Sequence, residues 1–274
     1  MYNTPMDFYK NLETALTSEN INTKELIIEQ AIKLCQEDTP TNNGNIKEFK
    51  TPSYASICNI VAPKDLPRRR DLASKEGLKA LIHSIVHIEF SAIDLALDAV
   101  YRFREMPVEF AYDWLIVAQD EVRHFKMLNE LLERLDCKYG DLSVHSSLFE
   151  MAQKTSNSAL ERMAIIPRYF EASGLDVNPK IINKLKNFKQ NDIIKESQRA
   201  LEIIYREEID HVRKGDKWFR YLCDQKKLDV AKTYKSIIDK FHLKSRAKQY
   251  NVEARKEAGF SCDELLDLGV KKCE

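Results

Sequence analysis

Asp120-Glu121-Val122-Arg123-His124 and Glu207-Glu208-Ile209-Asp210-His211 decide how this chain of 274 residues reads. Each sets a glutamate three positions before a histidine, so in a helix the two side chains share one face, about one turn apart. In both cases that face is otherwise apolar. The first row runs Phe110, Trp114, Val117, Glu121, His124, Leu128, Leu131, Leu135; the second runs Leu201, Ile204, Glu208, His211, Gly215, Trp218, Leu222. Acidic and imidazole groups normally face water, so those that interrupt an apolar stripe are informative.

With 24 Glu and 6 His in the chain, chance supplies roughly half a Glu-x-x-His match, so two copies weigh little by number. The helix before each copy gives them weight. Ahead of the first, Leu78, Leu81, Ile82, Ile85, Ala92, Ala96, Val100 and Phe103 recur at helical spacing with Glu89 in their midst. Ahead of the second, Leu160, Met163, Ala164 and Pro167 lead to Glu171. Glu150 and Glu161 compete for that fourth place; Glu161 shares its face with Lys154, Asn157 and Arg168, so Glu171 is preferred. Glu89 precedes Glu121 by 32 residues and Glu171 precedes Glu208 by 37, a duplicated helix pair with four inward carboxylates and two histidines. A carboxylate in a core must be paired, protonated or bound to a cation, and an adjacent imidazole favours a metal. Pro167 removes a helix donor and predicts a kink near Glu171.

The other histidines read differently. Asp239-x-x-His242 lies in a Lys-rich helix and reads as a solvated face, while His83 and His87 point away from Glu89 and read as structural or surface groups. His145 suits either capping or access to the site, and Trp114 and Trp218 read as packing.

Only 7 Gly and 8 Pro occur, with 31% charged and 43% apolar residues, which means few turns and long elements. No strand-like alternation of useful length appears, so the expected class is all-α. Four long helical patterns cover 74–104, 107–136, 145–173 and 190–224, with Gly140 and Gly174 after the second and third. The segment 74–224 is expected as a four-helix bundle. Residues 1–73 supply two short helices, 5–18 and 22–37, and an extended arm ending in Arg68-Arg69-Arg70. Residues 225–274 form a basic extension: a helix to about 257, then a turn at 262–268; a short helix is also expected at 179–188.

The net charge is zero, which excludes bulk electrostatic capture by nucleic acid or an anionic surface. The charge is uneven, however: residues 226–256 hold ten Lys/Arg against three Asp/Glu. A solvated face is the default there; the sharper reading is an RNA contact with Tyr234, Phe241 and Tyr250 available to stack. No stretch approaches the roughly 18 uninterrupted apolar residues of a membrane span. The start, MYNTPMDFYKNLE, carries no basic segment followed by an apolar run, so a soluble, cytoplasmic protein is expected. Six scattered cysteines without a C-x-x-C pair read as reduced thiols.

The paired D/E-E-x-x-H segments resemble those of the ferritin-like di-metal carboxylate superfamily. HIEFSAIDLALDA (87–99), DEVRHF (120–125), KYGDLSVHSSLFE (138–150), RMAIIPRYFEASGLDVNP (162–179) and EEIDHVRKGDKWF (207–219) more closely resemble an uncharacterised bacterial family of ferritin-like proteins. That family is related in fold to a tRNA-modifying di-iron hydroxylase. The resemblance covers about residues 75–224 and departs at Ser173, where the family is expected to carry Arg. It implies a ferritin-like bundle with additional N- and C-terminal helices, holding two Fe ions, or Mn and Fe, on Glu89, Glu121, His124, Glu171, Glu208 and His211. Asp120 and Glu207 would orient the histidines by accepting their second N–H. The implied activity is dioxygen-dependent hydroxylation or oxidation of a small molecule or modified nucleoside, and the expected partner is a second copy of the chain in a homodimer. Metal storage, a structural bundle and tRNA hydroxylation are the alternatives, because a shared fold does not transfer a substrate.

Overall fold

The computed structural model describes residues 7–37, 40, 44–67, 71–243 and 249–273; Arg68-Arg69-Arg70 and residues 244–248 of the basic stretch lie outside the described residues. Among the described residues the regular structure is helical, apart from one isolated bridge between Ile60 and Val144. The all-α expectation holds. The chain divides into two compact units, Met1–Glu150 and Met151–Glu274.

The first unit contains α1 (Phe8–Thr17), α2 (Ile21–Glu37), α3 (Lys75–Arg102) and α4 (Val108–Glu133). Polar caps fix the starts: Asp7 accepts from the Lys10 N–H and Ser74 from the Gly77 N–H, satisfying donors that a helix start leaves open. The turn at residues 103–107 is short, so α3 and α4 run antiparallel and pack along their lengths. The second helix, α2, lies on α4, and α1 lies on α2 and α3. Where α3 and α4 pack, Leu81, Ile82, Val86, Ile93, Leu97 and Val100 of α3 and Trp114, Leu115, Ala118, Val122 and Leu128 of α4 are all buried.

Among the described residues α3 alone is long and apolar enough to cross a membrane by length and composition, and 72% of that window is buried within the protein. Its apolarity is that of a core helix. The expectation of no such stretch rested on uninterrupted apolarity, which Glu89, Asp94 and Asp98 break.

The extended arm before α3 holds two short 3-10 turns, Ser53–Ser56 and Pro63–Asp65. It is pinned from two sides. Val61 N–H donates to the Val144 carbonyl at 2.8 Å and Val144 N–H to the Asn59 carbonyl at 3.0 Å. Gly140 sits at φ +102° with its α-carbon so close that an added Cβ would lie 2.3 Å from the Ile57 carbonyl oxygen, so only glycine fits. On the other side, the buried Lys24 ammonium donates to the Ala15 carbonyl (2.7 Å), the Ser53 hydroxyl (3.2 Å) and Asp94 Oδ1 (2.5 Å), tying α1, α2, the arm and α3 at one point.

The division between the units falls inside α5 (Ser147–Lys154). The second unit continues with α6 (Ala159–Ile165), a π-helical turn (Ile166–Glu171), α7 (Ala172–Lys186), α8 (Asp192–Gln225), α9 (Val230–Lys240), α10 (Val252–Glu257) and α11 (Cys262–Asp267). The helix expected over 145–173 is therefore split. The Thr155 hydroxyl turns back to the Met151 carbonyl, and Ser158 starts a new helix by accepting from the Glu161 N–H. The kink expected at Pro167 takes the form of the π-helical turn, a wider ring that accommodates the missing donor. Gly174 lies inside α7, not after a helix end, and α7 absorbs the helix expected at 179–188 with Pro179 inside it. Between residues 226 and 257 the described residues form two helices, α9 and α10, where one was expected, and the turn expected at 262–268 is the short helix α11.

Charges inside this unit are paired. The fully buried Arg168 guanidinium lies 4.4–4.6 Å from the ring centres of Phe219, Tyr234 and Phe260, with Asp216 Oδ1 at 3.0 Å and Glu264 Oε1 at 2.5 Å. Arg220 reaches Glu264 Oε2 at 2.6 Å. Burial alone would raise the Glu264 pKa, but Arg168, the Ser261 N–H and Arg220 outweigh it and hold the group at about 2. Tyr234 is inside the unit, its hydroxyl donating to the Arg168 carbonyl at 3.1 Å.

Cys35, Cys58, Cys137 and Cys223 are free thiols, whereas Cys262 and Cys273 form a disulfide, which corrects the all-reduced reading. Gly269, at φ +96°, turns the chain after α11 so that Cys273 returns to Cys262. Nothing in the spacing of the six cysteines announces that return.

Removing one partner of a buried ion pair strands the other, which costs roughly 3–5 kcal/mol. Lys24→Met should therefore destabilise the protein by an amount in that range in urea unfolding, and Asp94→Leu in the same chain should recover much of it. A loss under about 1 kcal/mol, the range of an exposed pair, would mean that the pair is solvated.

Candidate metal centre

In the first unit, Glu89 lies near the middle of α3, and Glu121 and His124 lie one turn apart on α4. Glu121 and His124 are fully buried and Glu89 is 4% exposed. His124 Nδ1 stands 3.4 Å from Glu121 Oε2 and 3.5 Å from Glu89 Oε2, and the three groups offer ligand atoms all within 4.8 Å of one another. Loss of water pushes the Glu89 carboxyl well above its ordinary pKa. The negative charge of Glu121 pushes it further, and the contact with His124 offsets only part of this. Two desolvated carboxylates and an imidazole make a hard, borderline donor set, and a buried cluster of this kind could hold a metal ion.

In the second unit, Glu208 and His211 lie one turn apart on α8, with His211 fully buried and its Nδ1 3.6 Å from Glu208 Oε1. Glu171 is half-buried and closes the π-helical turn. That turn packs closely on α8. A Cβ on Gly215 would lie 2.2 Å from the Pro167 Cβ, so the glycine permits the contact. Glu161, the competitor of Glu171, is in the first turn of α6 and pairs with Lys240 at 2.5 Å.

Asp120 accepts from Arg123 at 2.6 Å one turn away, and Glu207 is half-buried on α8. His242 is exposed, in keeping with a solvated face. His83 and His87 are buried structural groups. His87 Nε2–H donates to the His145 carbonyl at 2.9 Å, which leaves Nδ1 to accept from the Tyr139 hydroxyl at 3.0 Å. Burial holds the His87 pKa down at about 4, so the ring is neutral at ordinary pH. His83 Nε2 accepts from the N–H groups of Gly140 and Leu142, and His145 Nδ1 accepts from the Ser147 N–H at the start of α5.

A family model described as "Protein of unknown function (DUF455)" matches residues 13–266. The chain belongs to the DUF455 family. A relative from Haemophilus influenzae, named "Uncharacterized protein", is 37% identical over 277 residues, covering 94% of this chain and 92% of its own length. No solved structure matches the chain. The DUF455 match spans both Glu-x-x-His segments and the carboxylates that precede them, so the features of both units belong to the family's extent.

The raised Glu89 pKa has a pH signature in metal-free protein. Between its ordinary value of 4.5 and its higher folded value, the folded state holds a proton that the unfolded chain has released. Stability therefore falls as pH rises through that window, by at most about 1.4 kcal/mol per pH unit. Urea midpoints of chelator-treated protein from pH 5 upward should show the decline, and Glu89→Gln should flatten it. An equal slope in that variant would place the cause elsewhere.

Proposed function

We propose that this DUF455 protein is a ferritin-like di-metal carboxylate oxidoreductase. Its two ions, Fe and Fe or Mn and Fe, would be held by Glu89, Glu121, His124, Glu171, Glu208 and His211. The observation that carries the reading is the buried Glu89–Glu121–His124 cluster, in which like charges sit together out of water with an imidazole beside them. A cation is the simplest group that relieves such a cluster.

The donor set fits. The carboxylates and imidazoles suit Fe and Mn, and the sequence repeats the same Glu-x-x-His, each copy following a helix with an inward carboxylate. Glu171 is favoured over Glu161 because it follows the apolar run Leu160, Met163, Ala164 and Pro167, whereas Glu161 lies in the first turn of α6 and pairs with Lys240. When bound, such a metal pair supplies one-electron redox chemistry and activation of dioxygen for hydroxylation or oxidation of an organic substrate. This chain's residues provide the rest. Glu89 would bind as a carboxylate after losing the proton that burial favours, Glu121 would bind as a carboxylate beside it, and His124 and His211 would bind as neutral rings. The leucine, valine and aromatic side chains of α3 and α4 exclude bulk water.

Metal analysis of protein purified without chelators, and again after anaerobic loading with Fe(II), tests this directly. Wild type should carry about two ions per chain, and Glu121→Ala and His211→Ala should each lose at least one. A wild-type protein that takes up no transition metal would end the proposal. An oxygen electrode separates oxidase from storage: the Fe(II)-loaded enzyme should consume dioxygen repeatedly when a reductant is supplied, whereas a single stoichiometric burst marks storage.

A further inference from the structure

The Cys262–Cys273 bond closes a ring that contains all of α11, and Glu264, inside the ring, binds both Arg168 and Arg220. Arg168 belongs to the π-helical turn Ile166–Glu171, three residues before Glu171. Within α11, Glu264 and Leu265 are buried, while Leu266 and Asp267 are exposed. Ser261 and Glu264 form a reciprocal capping box, so the orientation of Glu264 is set by the same short helix that the disulfide staples.

Cys58, Cys137 and Cys223 are buried, while Cys262 and Cys273, like the free Cys35, are half-buried, and Cys273 follows the exposed Lys271 and Lys272. Cationic neighbours and partial access favour thiol–disulfide exchange.

We propose that the Cys262–Cys273 ring is a thiol-sensitive latch that keeps Glu264 on Arg168 and thereby orders the π-helical turn ending at Glu171. Opening needs a small thiol such as glutathione. One thiolate attacks a ring sulfur and the S–S bond breaks, leaving a mixed disulfide and one free cysteine; a second thiolate then attacks the small thiol's sulfur in that mixed disulfide and expels the other cysteine as thiolate. Two RSH are oxidised to RSSR, and the two electrons and two protons they give up leave Cys262 and Cys273 as free thiols. A closed ring of this size favours the ordered tail by on the order of a hundredfold over the open chain. Reduction therefore shifts α11 toward release, and Arg168 then lacks one of its two carboxylates.

The test uses full-length, metal-free protein and hydrogen exchange in the peptide covering residues 166–171. Oxidised wild type should show four free thiols on denaturation and slow exchange; reduction with dithiothreitol or glutathione should expose six and speed exchange at 166–171 on the order of tenfold. Cys273→Ser, a change at the chain terminus, should exchange fast from the start and ignore reductant. Glu264→Gln should exchange fast with its disulfide intact. Unchanged exchange after complete reduction, a reductant response retained in Cys273→Ser, or six free thiols that no oxidant pairs would each overturn the latch.

A second arm rests on Glu171 being a metal ligand: in iron-loaded protein, reduction should hasten loss of iron to a chelator. If exchange responds while iron release does not, the latch stands and the ligand role of Glu171 falls.

Discussion

Water is kept from two carboxylates that lie side by side, and the architecture of the first unit follows from that. Glu89 and Glu121 project between α3 and α4 with His124 beside them, their ligand atoms within 4.8 Å. An isolated carboxylate in such a place would be driven to its neutral form, and a second one nearby makes the arrangement worse. It persists because the surroundings are over-built. Two helices of 28 and 26 residues run alongside each other, α2 covers α4, and α1 covers α3. The Lys24–Asp94 pair then locks the N-terminal helices to α3 five residues past Glu89. Helix length, the short turn at 103–107 and the packed arm all serve to hold charge where the solvent cannot reach it.

The second unit meets a different constraint. Its copy of the motif lies on α8, the longest helix, and that helix must pass close to a turn broken by proline. Gly215 allows the approach to Pro167, and the wider π-helical ring absorbs the missing donor. The remaining charges are cross-paired: Arg168 with Asp216 and Glu264, Arg220 with Asp216 and Glu264, Arg255 with Asp176. This network reaches from the π-helical turn to the last helix.

Features encoded by short-range periodicity were legible in the sequence. Three of the four rows of apolar residues locate α3, α4 and α8 to within a few residues, and the burial of Glu89, Glu121, His124 and His211 follows from their place in those rows. Features that join distant residues were not. Lys24 reads as one more surface lysine on α2 until Asp94 and Ser53 are placed beside it, and Arg168 reads as a polar face until Glu264, 96 residues later, closes on it. One miss had a local signal. Ser158-Ala159-Leu160-Glu161 is a helix-start pattern, and it marks the break that divides the helix expected over 145–173.

Burial alone does not separate a site from a structural ion pair. Glu89 and Glu264 are the same residue type and nearly equally hidden, at 4% and 3% exposed. Their proton affinities move in opposite directions. Glu264, faced by two guanidinium groups and a backbone N–H, is held at about 2; Glu89, faced by another carboxylate and an imidazole, is pushed well up. The first group is complete as the chain folds, so its charge adds to stability at neutral pH. The second is destabilised as the chain folds, and that free energy becomes available to whatever cation enters. A protein held together by the first kind of carboxylate can carry the second kind: Glu264 ties α11 to Arg168 on the π-helical turn of the second unit, while Glu89 lies beside another carboxylate in the first.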